Sequence, residues 1–564
     1  MQHRITKSLL FVVFTLSVFL ASSVQSAAQE DSASQDSAIP EGFNRQDQLR
    51  GSITPERAWW DVQHYDLTLQ VFPKTKSIKG SNIISFRTVA AGDRMQVDLQ
   101  PPLVITRVVH GDADLDFERE GNVYWIQFPQ ALVPAVEDQV QIFYEGTPVE
   151  SKNPPWSGGF TWNKDEDGNP FIATTCQGIG ASIWWPNKDH GADEPNRGMD
   201  MRITVPQGLT AVSNGRLKDR SENSAAKTST FHWQVLNPIN NYGVNVNIGN
   251  YVEMPGVYEG EFGKLDLDYW VLKGQEEKAR KQFQQVPLTL EAFEYWFGKY
   301  PFYEDSYKLV VVPYLGMEHQ SSVTYGNGFK NGYRGRDLSG TGIGLKFDYI
   351  IIHESAHEWW GNNISMKDSA DMWIHEGFGT YAESLYVEYH FSKAEAQDYI
   401  VGIRKGIANR APIIGKYGLN NSGAGDMYPK GANMLHTMRH ILNDDEKWHA
   451  VLLGLQKEFW HQTVTTAQVE AYISRVSGFD FSRVFDQYLR TAGLPLLKYA
   501  VKGKSLSVWF EDVVPGFSVP VLLHINGKEQ RVLVSETPKE IALKSALKSF
   551  ELDRNFYMRV AAQD

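Results

Sequence analysis

Apolar and polar residues alternate along much of the first half of the chain. In His64-Tyr65-Asp66-Leu67-Thr68-Leu69-Gln70-Val71 every second residue is apolar, and Arg202-Ile203-Thr204-Val205 repeats the pattern. A period of two puts one set of side chains on each face of a strand, so these runs predict half-buried β-strands. Turn signals at Lys79-Gly80, Asp167-Gly168-Asn169 and Asn214-Gly215 separate them. From about Glu276 the period lengthens. Arg280 to Phe297, Phe347 to Trp360, Gly377 to Tyr389, Ala396 to Ala408 and Gly431 to Leu442 predict helices, as do Ala450 to Phe459, Ala467 to Ser477 and Phe481 to Leu489. Lys308 to Pro313 predicts a short buried strand. After Pro495 strand-like runs return, at Ser505 to Phe510 and Val519 to Leu523.

The pattern predicts a multidomain α+β protein: an all-β domain over 51–272, a mainly helical domain over 273–495 and a small β-sandwich over 496–564. A chain of 564 residues is too long for one core, which fits several domains. The start of the chain stands apart. Arg4 and Lys7 precede an apolar run from Leu9 to Leu20, followed by small residues through Ala28. This is the layout of a secretory signal over 1–26, and the run falls short of the roughly 20 residues that cross a bilayer. Residues 27–50 read as a flexible tether. The expectation is an exported protein, periplasmic or secreted, with no membrane span after cleavage.

Loss of Arg4 and Lys7 from 55 basic residues leaves 53 against 67 acidic ones, a formal charge of −14. An acidic surface argues against a nucleic-acid partner. The single cysteine, Cys176, has no partner for an internal disulfide, so stability must come from the core.

Chemistry concentrates in His353-Glu354-Ser355-Ala356-His357. Residues four apart share a helical face, so both imidazoles can reach one ion, and imidazole suits Zn²⁺. Glu354 lies beside the first His, where a carboxylate can take a proton from a metal-activated water. A catalytic zinc takes a third protein ligand, and Glu376, separated from His357 by eighteen intervening residues, supplies one from a following helix. Glu383, seven residues further on the same face, is either a hydrogen-bond acceptor for a ligand His or a surface acid.

These residues, with Trp359-Trp360-Gly361-Asn362, resemble the membrane-alanyl-aminopeptidase family of gluzincins, which includes the leukotriene hydrolases. The resemblance runs from about Trp59 to Pro495. It implies a saddle-like N-terminal β domain, a thermolysin-like catalytic domain and one Zn²⁺ per chain, held by His353, His357 and Glu376. It implies Glu354 as general base and peptides with a free α-amine as substrates. Leu315-Gly316-Met317-Glu318-His319 resembles the family's G-x-M-E-N strand, which implies that Gly316, Met317, Glu318 and His319 bind substrate and Glu318 holds the amine. Thr175-Cys176-Gln177, ahead of Trp185-Pro186, implies Gln177 as a second amine ligand. Asp426-Met427-Tyr428-Pro429-Lys430-Gly431 implies Tyr428 as the oxyanion donor.

Three positions depart from the family pattern. His319 and His375 stand where the family has Asn, and Leu315 replaces the first Gly. A titratable His319 beside the substrate is expected to shape the acid side of the pH profile. Leu315 is expected to reshape the first side-chain pocket. Larger relatives carry a long helical domain that roofs the site, and 496–564 reads as a short form without one. Three other readings are open: a thermolysin-like endopeptidase, whose spacing to the Glu is nineteen; a non-enzymatic scaffold, which would have lost zinc ligands; and an added epoxide hydrolase.

Overall fold

The computed structural model describes residues 39–563. The expected signal and residues 27–38 of the expected tether lie outside them. The rest of that tether is not loose: Arg45–Gly51 is a helix, closed at its start by a reciprocal capping box between Asn44 and Asp47. Capping is a local device that an apolar period does not register.

Alternation becomes burial in the first domain. Strand Trp60–Phe72 buries Tyr65, Leu67, Leu69 and Val71, and strand Met199–Pro206 buries Met199, Met201, Ile203 and Val205. These two strands pair in parallel at the middle of an eight-stranded sheet. A second sheet, of four strands, carries Pro170–Thr175 beside Gly159–Lys164 and Asn247–Gly249. The turn that follows Thr175 presents Gln177.

The expected boundary at 272/273 is corrected. Hairpin Tyr251–Gly260/Gly263–Leu272 joins Tyr307–Val311, Val323–Tyr325 and Gly316–Met317 in one five-stranded sheet, so it belongs with the helical domain. Its alternation is the same in either sheet, and only tertiary pairing assigns it. Gly316–Met317 is the outermost strand of that sheet. The predicted helix over 280–297 is two helices, Glu276–Gln282 and Gln285–Phe297. The other helices form close to their predicted positions. After Pro495 come a four-stranded and a three-stranded sheet, docked on the helices through bonds such as His436 Nε2 to Asn555 Oδ1. Among the described residues no helix is long and apolar enough to cross a membrane.

Candidate metal centre and amine anchor

The motif helix is Tyr349–Ala356. Asp348 caps it, accepting from the N–H groups of Ile350 and Ile351, and Ile350, Ile351 and Ile352 are fully buried behind it. Each such side chain contributes about 1.5–3 kcal/mol by leaving water, which anchors this short helix. The strand Gly316–Met317 passes across the helix face that carries Ile350 and Glu354. A Cβ at Gly316 would meet Ile350 Cγ2 at 2.6 Å, so only glycine lets the strand lie this close to Glu354.

The two imidazoles are oriented from behind. His353 Nδ1 lies 2.7 Å from Glu383 Oε1, and Tyr399 donates to the other oxygen of Glu383 at 2.6 Å. His357 Nδ1 lies 2.9 Å from the carbonyl of Trp360. Both partners are acceptors, so each ring directs its Nδ1–H at them and turns Nε2 inward. Glu383 is thus a buried acceptor, and the surface alternative is set aside.

Glu376 arrives on helix Trp373–His390. This helix packs against Met427–Leu442 at Gly377 and Gly431, where a Cβ on Gly377 would lie 3.3 Å from the Gly431 Cα. The close approach brings Tyr428, in the first turn of the second helix, to the site. Its ring stacks on His353 at 6.1 Å. Burial, then the charges of Glu376 and Glu318, hold the Tyr428 phenol well above its usual range, so it remains a donor.

His353 Nε2 and His357 Nε2 are 3.3 Å apart, and Glu376 Oε2 lies 3.8 and 3.5 Å from them. Ligands about 2.0–2.1 Å from one tetrahedral zinc stand about 3.3–3.4 Å from each other, so the set has the right span. Glu376 Oε2 is buried without a hydrogen-bond partner, as an atom reserved for a ligand would be. Burial pushes Glu354 up to about 8 and raises Glu318. Burial would lower His357, but Glu376 and Glu318 outweigh it and push the ring up to about 9. Three buried carboxylates facing two imidazoles demand positive charge, and the donor set fits a divalent zinc.

Beside these groups lies a second cluster. Gln177 Nε2 donates to Glu318 Oε1 at 2.5 Å and to Glu376 Oε1 at 3.1 Å, joining three segments far apart in sequence. Asn362 Nδ2 donates to the Glu318 carbonyl, and Glu358 accepts from the Ser321 N–H. These bonds pin both ends of the Glu318 turn. Met317 is buried and pairs with Thr324.

The expectation for His319 is corrected. The ring is fully buried, with Nδ1 3.3 Å from Thr324 Oγ1, and burial pushes it down to about 3. Buried and pushed down this far, His319 carries no ionisation of its own near neutral pH. His319→Asn should therefore leave the acid limb of kcat/KM where it is, and a displaced limb in a pH series would contradict this. His375 is also buried and pushed down to about 3. Its Nε2 accepts from the Met366 N–H at 2.8 Å, which leaves Nδ1–H to face the Tyr242 hydroxyl at 3.3 Å. Tyr242 was not among the predicted site residues. Its signal was faint: an Asn240-Asn241-Tyr242-Gly243 turn between strands.

Two family models match the chain: the peptidase M1 N-terminal domain over residues 61–242 and the peptidase family M1 domain over 282–488. The leucyl aminopeptidase of Saccharolobus solfataricus is 21% identical over 406 residues, 68% of this chain and 50% of that one. Aminopeptidase 2 of Candida albicans is 22% identical over 460 residues, 77% of this chain and 47% of its own. The chain spans about half the length of the curated relatives it matches. The M1 zinc metallopeptidase of Deinococcus radiodurans shares the fold with a TM-score of 0.67 at 20% identity, covering 78% of this chain and 95% of that one. A mutant of that enzyme bound to a Tyr-Ser-Ala substrate gives 0.66 at 19% identity, over 78% and 96%.

Proposed function

We infer that this chain, which belongs to peptidase family M1, is a zinc-dependent aminopeptidase that hydrolyses the first bond of peptides with a free α-amine. One observation carries the reading: the His353–His357–Glu376 set stands directly against the Gln177–Glu318 pair, bridged by Gln177. His353, His357 and Glu376 would hold the ion. A zinc ion there supplies Lewis acidity, acidifying water and polarising a carbonyl.

The remaining roles fall to the chain's own groups. Glu354 takes a proton from water and returns it to the leaving amine. The Tyr428 hydroxyl donates to the oxyanion that develops on the scissile carbonyl. Glu318, aligned by Gln177, pairs with the substrate ammonium, which is very costly to bury alone. The open edge of Gly316–Met317 can pair with the peptide backbone. His319 supports this turn from within.

The apolar run from Leu9 to Leu20 supports export, with a periplasmic or secreted location; the mass of the mature protein outside the cytoplasm checks this. For the metal, the expected result is one zinc per chain, loss of activity on chelation, and recovery when zinc is restored. Full turnover of an aminoacyl amide by metal-free protein would sink the reading.

A further inference from the structure

A cleft of about 160 Å³ opens beside Gln177 and Tyr242. Its volume is about that of a cavity admitting one benzene-sized group, so it suits one side chain and not a second residue. Because Gln177 also touches Glu318 and Glu376, a substrate whose amine sits on that cluster has this cleft within reach of its first side chain.

The far wall comes from a segment that the family models do not include. Helix Arg45–Gly51 lies ahead of residue 61, yet it is docked on both domains. The Asn420 N–H donates to the Asp47 carbonyl at 3.0 Å, and His190 Nε2 lies 3.2 Å from the Gly51 carbonyl. A Cβ on Gly51 would meet the Leu419 carbonyl carbon at 2.0 Å, so helix end and catalytic-domain loop are in backbone contact. From this helix Arg50 enters the cleft. Its Nη1 donates to the Gly178 carbonyl at 2.9 Å, next to Gln177, and its Nε lies 3.6 Å from Asp189 Oδ2. The pair is lodged over Gly180, where a Cβ would meet Asp189 Oδ2 at 2.1 Å and Arg50 Cζ at 2.4 Å.

The charges lining the cleft therefore cancel. Arg50 and Asp189 face each other, and burial pushes His190 down to about 3, so it is neutral. The nearby Arg57 is spent on Asp98 at 2.6 Å. Glu318 and Glu376 stand outside the lining and are joined to it through Gln177. The remaining lining, which includes Met366, Met372, Asn241 and Ser422, offers apolar and neutral polar surface. An ionised side chain placed there would be partly dehydrated with no counter-ion of its own.

Resting on the aminopeptidase reading, we propose that this cleft receives the first side chain of the substrate and selects uncharged ones of about Met or Gln size. The Arg50–Asp189 pair sets that choice. Arg50 is a specificity-determining residue supplied from outside the family domains.

The test uses the zinc-loaded full chain and p-nitroanilides of Ala, Met, Gln, Glu and Lys. Wild type should turn over the Met and Gln amides with kcat/KM about tenfold or more above those of Glu and Lys. Arg50→Met removes the cation facing Asp189 and leaves its Oδ2 with neutral donors, the Ser182 N–H and hydroxyl, so the Lys-to-Met ratio should rise about tenfold or more. The Ala amide, too short to reach the pair, should change little, and Arg50→Lys should restore the wild-type ratio. Should Arg50→Met fold poorly, Ser422→Asp adds a negative charge to the same wall and should favour Lys in the same way. Equal rates for charged and uncharged amides in wild type, or an equal fall for every substrate in Arg50→Met, would overturn the proposal. Calorimetry with free L-Met, L-Gln, L-Glu and L-Lys separates the two readings. If no amide is cleaved but the uncharged amino acids bind selectively, the aminopeptidase reading fails and the cleft's selectivity stands.

Discussion

Glu354→Gln should abolish nearly all turnover and leave the zinc in place. The amide has the shape of the carboxylate but cannot accept a proton, and a positioned general base contributes about 10²–10⁴-fold. The site allows a second role for Glu354 that the same experiment tests. Its carboxylate lies close enough to His353 and His357 to form a candidate ligand triad with them, alongside the triad of Glu318, His357 and Glu376. The Nε2 pair and the unpartnered Glu376 Oε2 favour Glu376 as the third ligand. A base that is not a ligand should cost kcat and spare metal content. Activity within tenfold of wild type would remove Glu354 from the mechanism, and loss of zinc in the mutant would make it a ligand.

The second large effect is expected at Glu318. Glu318→Ala should lower kcat/KM for free peptides by about 10²–10³-fold, because breaking a buried ion pair costs roughly 3–5 kcal/mol. Acetylated peptides have no charge to pair, so the mutant should treat them no worse than wild type does. The preference for free over blocked amino ends should then collapse. The geometry makes the test sharp. Glu318 is 4% exposed and is held by Gln177, so a neutral amino end leaves a dehydrated carboxylate facing it. A mutant that still rejects acetylated peptides as strongly as wild type would move the anchor elsewhere, with Gln177 the next residue to change.

Much of this site is written in short-range spacing. The two imidazoles are four residues apart, so any helix through 349–356 puts them on one face whatever surrounds it. Glu376 and Glu383 share a face for the same reason, since seven residues are close to two turns. The strands of the first domain and the helices after Glu276 were legible because one buried face leaves a period of 2 or 3.6 in the chain itself.

Other features depend on which distant surfaces meet, and no local period carries that. Hairpin 251–272 alternates like its neighbours, and only its pairing with Tyr307–Val311 assigns it to the catalytic sheet. Helix Arg45–Gly51 is too short to show a period, and its place beside Leu419 makes Arg50 part of a cleft. His319 looks titratable by residue type. Its neutrality follows from complete burial, a sum over neighbours drawn from several segments. Residue types and helical spacing thus specify the proposed ligands and the proposed base. The amine cluster, the charge balance of the cleft and the protonation of its histidines exist only once the chain has closed, because electrostatic energies depend on distance and dehydration in space and not on separation along the sequence.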